Sequence, residues 1–171
     1  MNAVDLYFDA LNRADGYTRR ALEGLTYDEL RHQPGGEGSN PIGWIVWHMT
    51  WVRDFITAGV TGERPLWETD GWADRFGMEA PPPRFTPENV HTFDPKDIET
   101  LTGYFEAVAE KTAATVRGFT PEDLDRLLPP ASPDRPPQSV GSRLGAILND
   151  NIQHVGQVTY FRGVLREQGW F

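Results

Sequence analysis

The sequence predicts an all-α protein: a four-helix bundle with a long connector between helices two and three. Three observations carry this. Apolar residues recur at three- and four-residue spacing along four long stretches. No stretch of the 171 residues alternates apolar and polar positions as a half-buried strand would. Glycine and proline cluster between the periodic stretches and break them apart. Four amphipathic helices in a chain of this length bury their apolar faces best against one another. The length suits one domain, residues 1–171.

The first helix covers roughly residues 2–23, with Asn2 as its cap and Val4, Phe8, Leu11, Thr18, Leu22 and Leu25 on its apolar face. "TYDEL" follows as a short capped turn, and "PGGEG" interrupts the chain. Ser39 or Asn40 caps the second helix, with Pro41 in its first turn. There Ile42, Ile45, Val46, Met49, Val52 and Ile56 cover one broad face, while Trp44, Trp47, Trp51 and Phe55 cover most of the remainder. A helix apolar nearly all round is a buried one, and His48 lies in its middle.

The connector, from about Gly59 to Asp94, is far longer than bundle loops usually are. Its "LWETDGWADRFG" carries Trp67, Trp72 and Phe76, which suit either a lid over a binding site or a cover for a bundle edge. The third helix opens near Pro95 and runs to Gly118 along Ile98, Leu101, Phe105, Val108, Thr112 and Val116. "LPPASPDRPPQS" reads as a tether. The fourth helix runs from Val140 to Gln168, with Leu144, Ile147, Leu148, Ile152, Val155, Thr159 and Leu165 as its core stripe.

Composition excludes several classes of function. The net charge is −9 and the basic residues are scattered, so the electrostatic stripe that nucleic acids require is missing. No window is long and apolar enough for a membrane span, and the amphipathic, acidic start lacks the features of a signal peptide. A soluble cytoplasmic protein is expected. The chain has no cysteine, so disulfides and thiolate metal sites are impossible and any metal must be held by His, Asp or Glu. Histidines number four. His32 and His91 fall in expected loops and read as surface residues.

The two halves of the chain echo each other. "GLTYDELRHQP" after the first helix resembles "GFTPEDLDRLLP" after the third, and "IGWIVWH" in the second helix aligns with "LGAILND" in the fourth. In that register His48 falls opposite Asp150, and His154 lies one turn beyond Asp150. Residues four apart on a helix stand over one another, with Cβ atoms roughly 5–6 Å apart, so Asp150 and His154 can reach one cation. With His48 from a facing helix they form a set of three ligands that leaves one side open, the arrangement of a catalytic zinc site. Two histidines and one carboxylate suit iron or manganese as well. No catalytic group beyond these ligands stands out. Trp44, Trp51 and Trp72 offer flat faces to a substrate, and Gln157 continues the Asp150–His154 stripe, so these four are the candidate substrate-binding residues. Trp47 reads as core.

The mid-helix histidine of "GWIVWHMTW", together with "DNIQHVGQ" followed by "YFRG", resembles the DinB-like superfamily of metal-binding four-helix bundles. "GWADRFG" and "LTGYFEAV" are similar to its mycothiol S-transferase branch. The resemblance spans nearly the whole chain. It implies a divalent ion, expected to be zinc, a low-molecular-weight thiol such as mycothiol, a small electrophile, a detoxification role and a homodimer. The superfamily's commoner triad is three histidines. His48 and His154 match two of them, and Asp150 replaces the third. The other readings are a metal-binding protein without turnover and an iron or manganese enzyme built on the same three residues.

Overall fold

A computed structural model describes residues 1–78, 86–130 and 134–169. Residues 79–85 of the expected connector and 131–133 of the expected tether lie outside the described residues. The described fold is all-α. Its elements are α1 (Ala3–Leu22), α2 (Tyr27–Arg31), α3 (Ile42–Thr61), α4 (Leu66–Thr69), α5 (Trp72–Phe76), α6 (Pro87–Thr92), α7 (Ile98–Arg117), a 3-10 turn (Glu122–Asp125) and α8 (Val140–Leu165). The four expected helices are α1, α3, α7 and α8. None of the helices described is long and apolar enough to cross a membrane.

Local chemistry sets most helix ends. Asn2 and Asp5 form a reciprocal capping box at α1, and Thr26 and Glu29 form another at α2, the expected short capped turn. Asp97 caps α7 by accepting from Thr100 N at 2.6 Å, so that helix begins three residues after Pro95. Ser139 caps α8. The expected Ser39 or Asn40 cap of α3 is replaced by Pro41, which offers no side-chain acceptor. The Ser39 hydroxyl is already committed to a tight turn, where it accepts from Gly35 N and donates to Gly36 O. At the far end of α3, Gly62 takes a left-handed conformation with φ 78°, which stops the helix. α8 ends at Leu165, three residues short of the expected Gln168.

Side-chain pairings fix the directions. Arg53 of α3 reaches Ala109 O of α7, and Thr57 of α3 meets Thr112 of α7 at 3.1 Å, so these two helices run parallel. His48 of α3 meets His154 of α8, while Val60 shares a cluster with Val140 and Leu144, so α3 and α8 are antiparallel. Arg162 of α8 donates to Ala21 O of α1, whereas Val4 clusters with Val140, so α1 and α8 are parallel. Arg19–Glu106 and Arg117 over the Phe8 ring make α1 and α7 antiparallel. The repeat thus pairs α1 with α7 and α3 with α8, each antiparallel, as a twofold axis perpendicular to the helices would.

The parallel course of α3 and α7 explains the connector. A twenty-residue helix is about 30 Å long, and the chain must travel back that far before α7 can start. The described part of this crossover covers the α3–α7 edge. Trp67 is 1% exposed and packs on Trp47 and Tyr104, Trp72 packs on Tyr104, and Phe76 stacks with Phe93. Asp54 of α3 holds the start of the crossover, accepting from Leu66 N at 2.9 Å, Trp67 N at 2.8 Å and the Tyr104 hydroxyl at 2.9 Å. Burial nevertheless leaves the Asp54 carboxyl above its ordinary pKa, because three donors offset only part of its lost hydration.

The interior has two apolar clusters. One gathers Ile42 to Met49 of α3, Leu101 to Val108 of α7 and the crossover aromatics. The other gathers Leu11, Val60, Val116, Leu144 and Ile147. Between them lies a polar layer of Asp15, Thr18, Arg53, Thr57, Thr112 and Asn151, all buried. Arg53 Nη1 donates to Asp15 Oδ1 at 2.6 Å and Nη2 donates to Oδ2 at 3.2 Å, a two-pronged pair nearly sealed from water. One expectation for α8 fails. Ile152, assigned to the core stripe, is 51% exposed. The stripe that faces inward runs through Leu144, Ile147, Asn151, Val155 and Val158, and Ile152 lies off it.

Removing one member of the Arg53–Asp15 pair strands a buried charge. Asp15→Ala is expected to cost about 3–5 kcal/mol in urea unfolding, whereas the double change Asp15→Leu with Arg53→Met costs far less or nothing. Equal losses in the single and double variants would show that packing, and not charge, sets the cost.

Asp97 supplies a pH-dependent test. Hydrogen bonding from Thr100 holds its carboxyl below the ordinary range. A depressed folded-state pKa gives stability that is present above the unfolded pKa and lost as pH falls through the folded one. Asp97→Ala should therefore lower stability by about 1 kcal/mol at neutral pH. The gap should close in acid, read from unfolding midpoints across a pH series. A gap that stays constant into acid would exclude capping by the carboxylate.

Candidate metal centre

α3 carries His48 at the level of the polar layer, on the flank facing α8. The antiparallel course of α8 brings Asp150 and His154 to the same height. His48 Nε2 lies 3.9 Å from Asp150 Oδ1, and His154 Nε2 lies 3.5 Å from that same oxygen. The two imidazoles meet at right angles with centroids 5.0 Å apart. One ligand atom from each of the three residues falls within 4.8 Å of the others. Their side chains are 17%, 22% and 20% exposed, so the cluster is partly buried and still open to solvent.

The chemistry of this donor set fits a divalent cation. Ligands about 2.0–2.2 Å from a tetrahedral ion lie ~3.3 Å apart, slightly closer than the separations here and within reach of small side-chain rotations. Asp150 Oδ2 is buried with no hydrogen-bond partner, a costly state for a carboxylate oxygen that a cation would relieve. His154 Nδ1 lies 2.8 Å from Gln157 Oε1. The amide oxygen accepts, so the proton resides on Nδ1 and the Nε2 lone pair points toward the cluster. Gln157 therefore stands as the group that orients His154.

The two imidazoles differ electrostatically. Burial holds the His48 pKa below its ordinary value, with Asp150 opposing this and His154 adding to it. Burial acts against a charged His154 as well, but its contacts with Asp150 and Gln157 outweigh that and leave its pKa raised. A cation bound here displaces any proton on His154, which couples metal binding to proton release.

The other candidate aromatic residues lie on α3 and in the crossover. Trp44, His48, Trp51 and Phe55 are spaced four, three and four apart and occupy one stripe of α3. Trp51 is half-buried, stacked on Trp47 at 6.3 Å and tilted against Phe55 at 4.5 Å. Trp44 is 3% exposed and packs edge-on to Phe93. Trp72 belongs to the crossover, 7% exposed, with the Arg75 guanidinium over its ring. Trp47 is fully buried, as expected. Asn151 turns to the core and donates to Ile147 O, while Asn149 is exposed. The sequence reading assigned Phe55 to helix packing alone. Its seven-residue distance from His48 places it on the same stripe of α3, and that spacing was available as a signal.

The sequence profile of the DinB superfamily matches residues 10–158. A crystal structure of a conserved protein from Enterococcus faecalis superimposes with a TM-score of 0.86 at 22% identity, over 98% of this chain and 99% of that one. At that identity the likeness speaks to the fold. No curated protein matches the chain. The superfamily is metal-binding, which agrees with the His48, Asp150 and His154 cluster. With more than half of its length matched, from the middle of α1 to the core of α8, the chain belongs to the DinB superfamily.

Proposed function

We propose that the protein is a metal-dependent thiol S-transferase of the mycothiol-using kind, built as a four-helix bundle, that joins a low-molecular-weight thiol to a small electrophile in detoxification. The observation that carries this reading is the convergence of two imidazoles and one carboxylate in a partly buried cluster that remains open to solvent. Zinc is the ion this donor set suits first. His48, Asp150 and His154 hold it. Bound there, it supplies Lewis acidity that favours the thiolate form of a thiol.

The chain's own residues do the rest. Asp150 sets the charge of the site: one carboxylate against a divalent ion leaves about +1, which a single thiolate neutralises. Gln157 holds the His154 ring in place through Nδ1. Trp51 and Phe55, in contact with each other on the α3 stripe that carries His48, would limit water and offer apolar surface to the electrophile. The absence of cysteine agrees with a sulfur nucleophile that is brought in by a cosubstrate.

Protein purified without an affinity tag should contain one zinc per chain and should consume mycothiol in the presence of a soft electrophile such as monobromobimane. A chelator should abolish turnover and added zinc should restore it. Full metal occupancy with no consumption of mycothiol, bacillithiol, glutathione or coenzyme A would sink the transferase reading in favour of a metal-binding protein without turnover. Restoration by ferrous or manganous ion and not by zinc would assign the site to those metals.

Asp150 separates a ligand from a bystander. Asp150→Ala should weaken zinc binding by at least the roughly 10–100-fold that loss of a ligand-supporting group causes. Asp150→His, which recreates a three-imidazole set, should retain binding. Competition with a fluorescent chelator measures both, and unchanged affinity in Asp150→Ala would remove Asp150 from the site.

A further inference from the structure

A second feature lies on the same α3–α8 flank as the metal cluster. A cavity of about 310 Å³ is lined by Gly59 of α3, Arg143 of α8 and the segment before α8, including Leu128, Arg135 and Pro136. Arg143 is seven residues before Asp150, and Gly59 is eleven residues after His48. Both intervals return to nearly the same side of a helix. The cavity therefore continues the α3–α8 flank that carries the cluster, roughly 10–16 Å further along the helix axes. Trp51 and Phe55 occupy the α3 stripe between the two. Gly59 meets nothing where a side chain would stand, so this end of the flank is open.

The charge here runs against that of the whole molecule. In a chain of net charge −9, two arginines line one cavity, and no carboxylate among the described residues lines it. Among the described residues, neither Arg135 nor Arg143 forms an ion pair. Arg143 spends one donor on Gln138 Oε1 at 3.2 Å and keeps the others. The cavity also lies at the first turn of α8, a helix of 26 residues, whose positive end favours an anion.

We infer that the α3–α8 groove binds an elongated substrate whose reactive end lies at His48, Asp150 and His154 and whose anionic tail, a carboxylate or phosphate, is held by Arg135 and Arg143 at the other end of the Trp51–Phe55 floor. That the ligand is a substrate rests on the transferase reading; the groove and its anion selectivity do not. Paired guanidinium donors match the planar fork of a carboxylate or the oxygens of a phosphate. The apolar floor suits a body of hydrocarbon or aromatic character between the two ends.

Linear ω-mercaptocarboxylates serve as probes, with the thiol for the zinc end and a carboxylate for the arginine end. Their binding to zinc-loaded protein is read by tryptophan fluorescence or calorimetry, each against its neutral ω-mercaptoalcohol. A probe whose extended length matches the roughly 10–16 Å span should bind about five- to tenfold tighter than its neutral analogue. Mercaptoacetate, too short to reach the arginines, should show no such preference. R135Q and R143Q should each reduce the preference, and together abolish it, with zinc content and affinity for the neutral probe unchanged; R143K should keep part of it. No preference at any length, or a preference that survives the double variant, overturns the inference. A length-dependent preference without turnover of any thiol and electrophile supports the groove while overturning the transferase reading. Kinetics with anionic and neutral electrophiles then assign the tail: a KM that rises only for the anionic electrophile in R143Q places it on the electrophile, and unchanged values place it on the thiol.

Discussion

The Arg53–Asp15 pair fixes the molecule's internal register. Arg53 leaves α3, crosses to Asp15 of α1 and touches the Ala109 carbonyl of α7, so one side chain ties three helices at one height. Two charges so fully removed from water are tolerable only when they face each other with good geometry, and sliding any of the three helices by a turn would separate them. His48 lies five residues from Arg53 on the same helix. Whatever holds Arg53 in place also holds the imidazole at the level where α8 presents Asp150 and His154.

Around that layer the four long helices divide their work. α1 and α7 supply packing and charge partners. α3 and α8 supply the candidate ligands, one from the first and two from the second. This follows from their antiparallel contact along an open flank, while the opposite edge of α3 is sealed by the crossover. Asp54 and Trp67 close one side of α3, and Trp51 and Phe55 remain half-buried on the other. The same helix thereby serves as core on one side and as a half-exposed aromatic flank on the other, which its nearly uniform apolar sequence accommodates.

Much of this was legible in the sequence. Periodicity located all four long helices, and the four-residue interval between Asp150 and His154, together with the aligned repeat, brought His48 to them. Topology was harder to read. Nothing in the periodicity of α3 or α7 states that they run parallel, so the long connector admitted both a lid and an edge cover until the helix directions showed the distance it must travel. Arg53 and Asp54 were equally opaque. A charged pair in "WVRDFIT" looks like a solvated face, and only their partners in α1, α4 and α7, far away in the chain, make their burial possible. The Ser39 cap failed because its hydroxyl had a nearer use in its own turn. Ile152 was misplaced because the inward stripe of a long helix drifts, and a residue on its margin can fall on either side.

One property of the ligand set bears on the chain as a polymer. His48 and Asp150 are separated by about a hundred residues, and a cation shared between them would close a loop of that size. Loop closure on this scale removes much of the unfolded chain's freedom, as a long-range disulfide does. A chain without cysteine has no covalent means to that end. The ion held by His48, Asp150 and His154 would be its only cross-link among the described residues, joining the first half of the sequence to the second, so that loss of metal would loosen the pairing of the two repeats as well as empty the site.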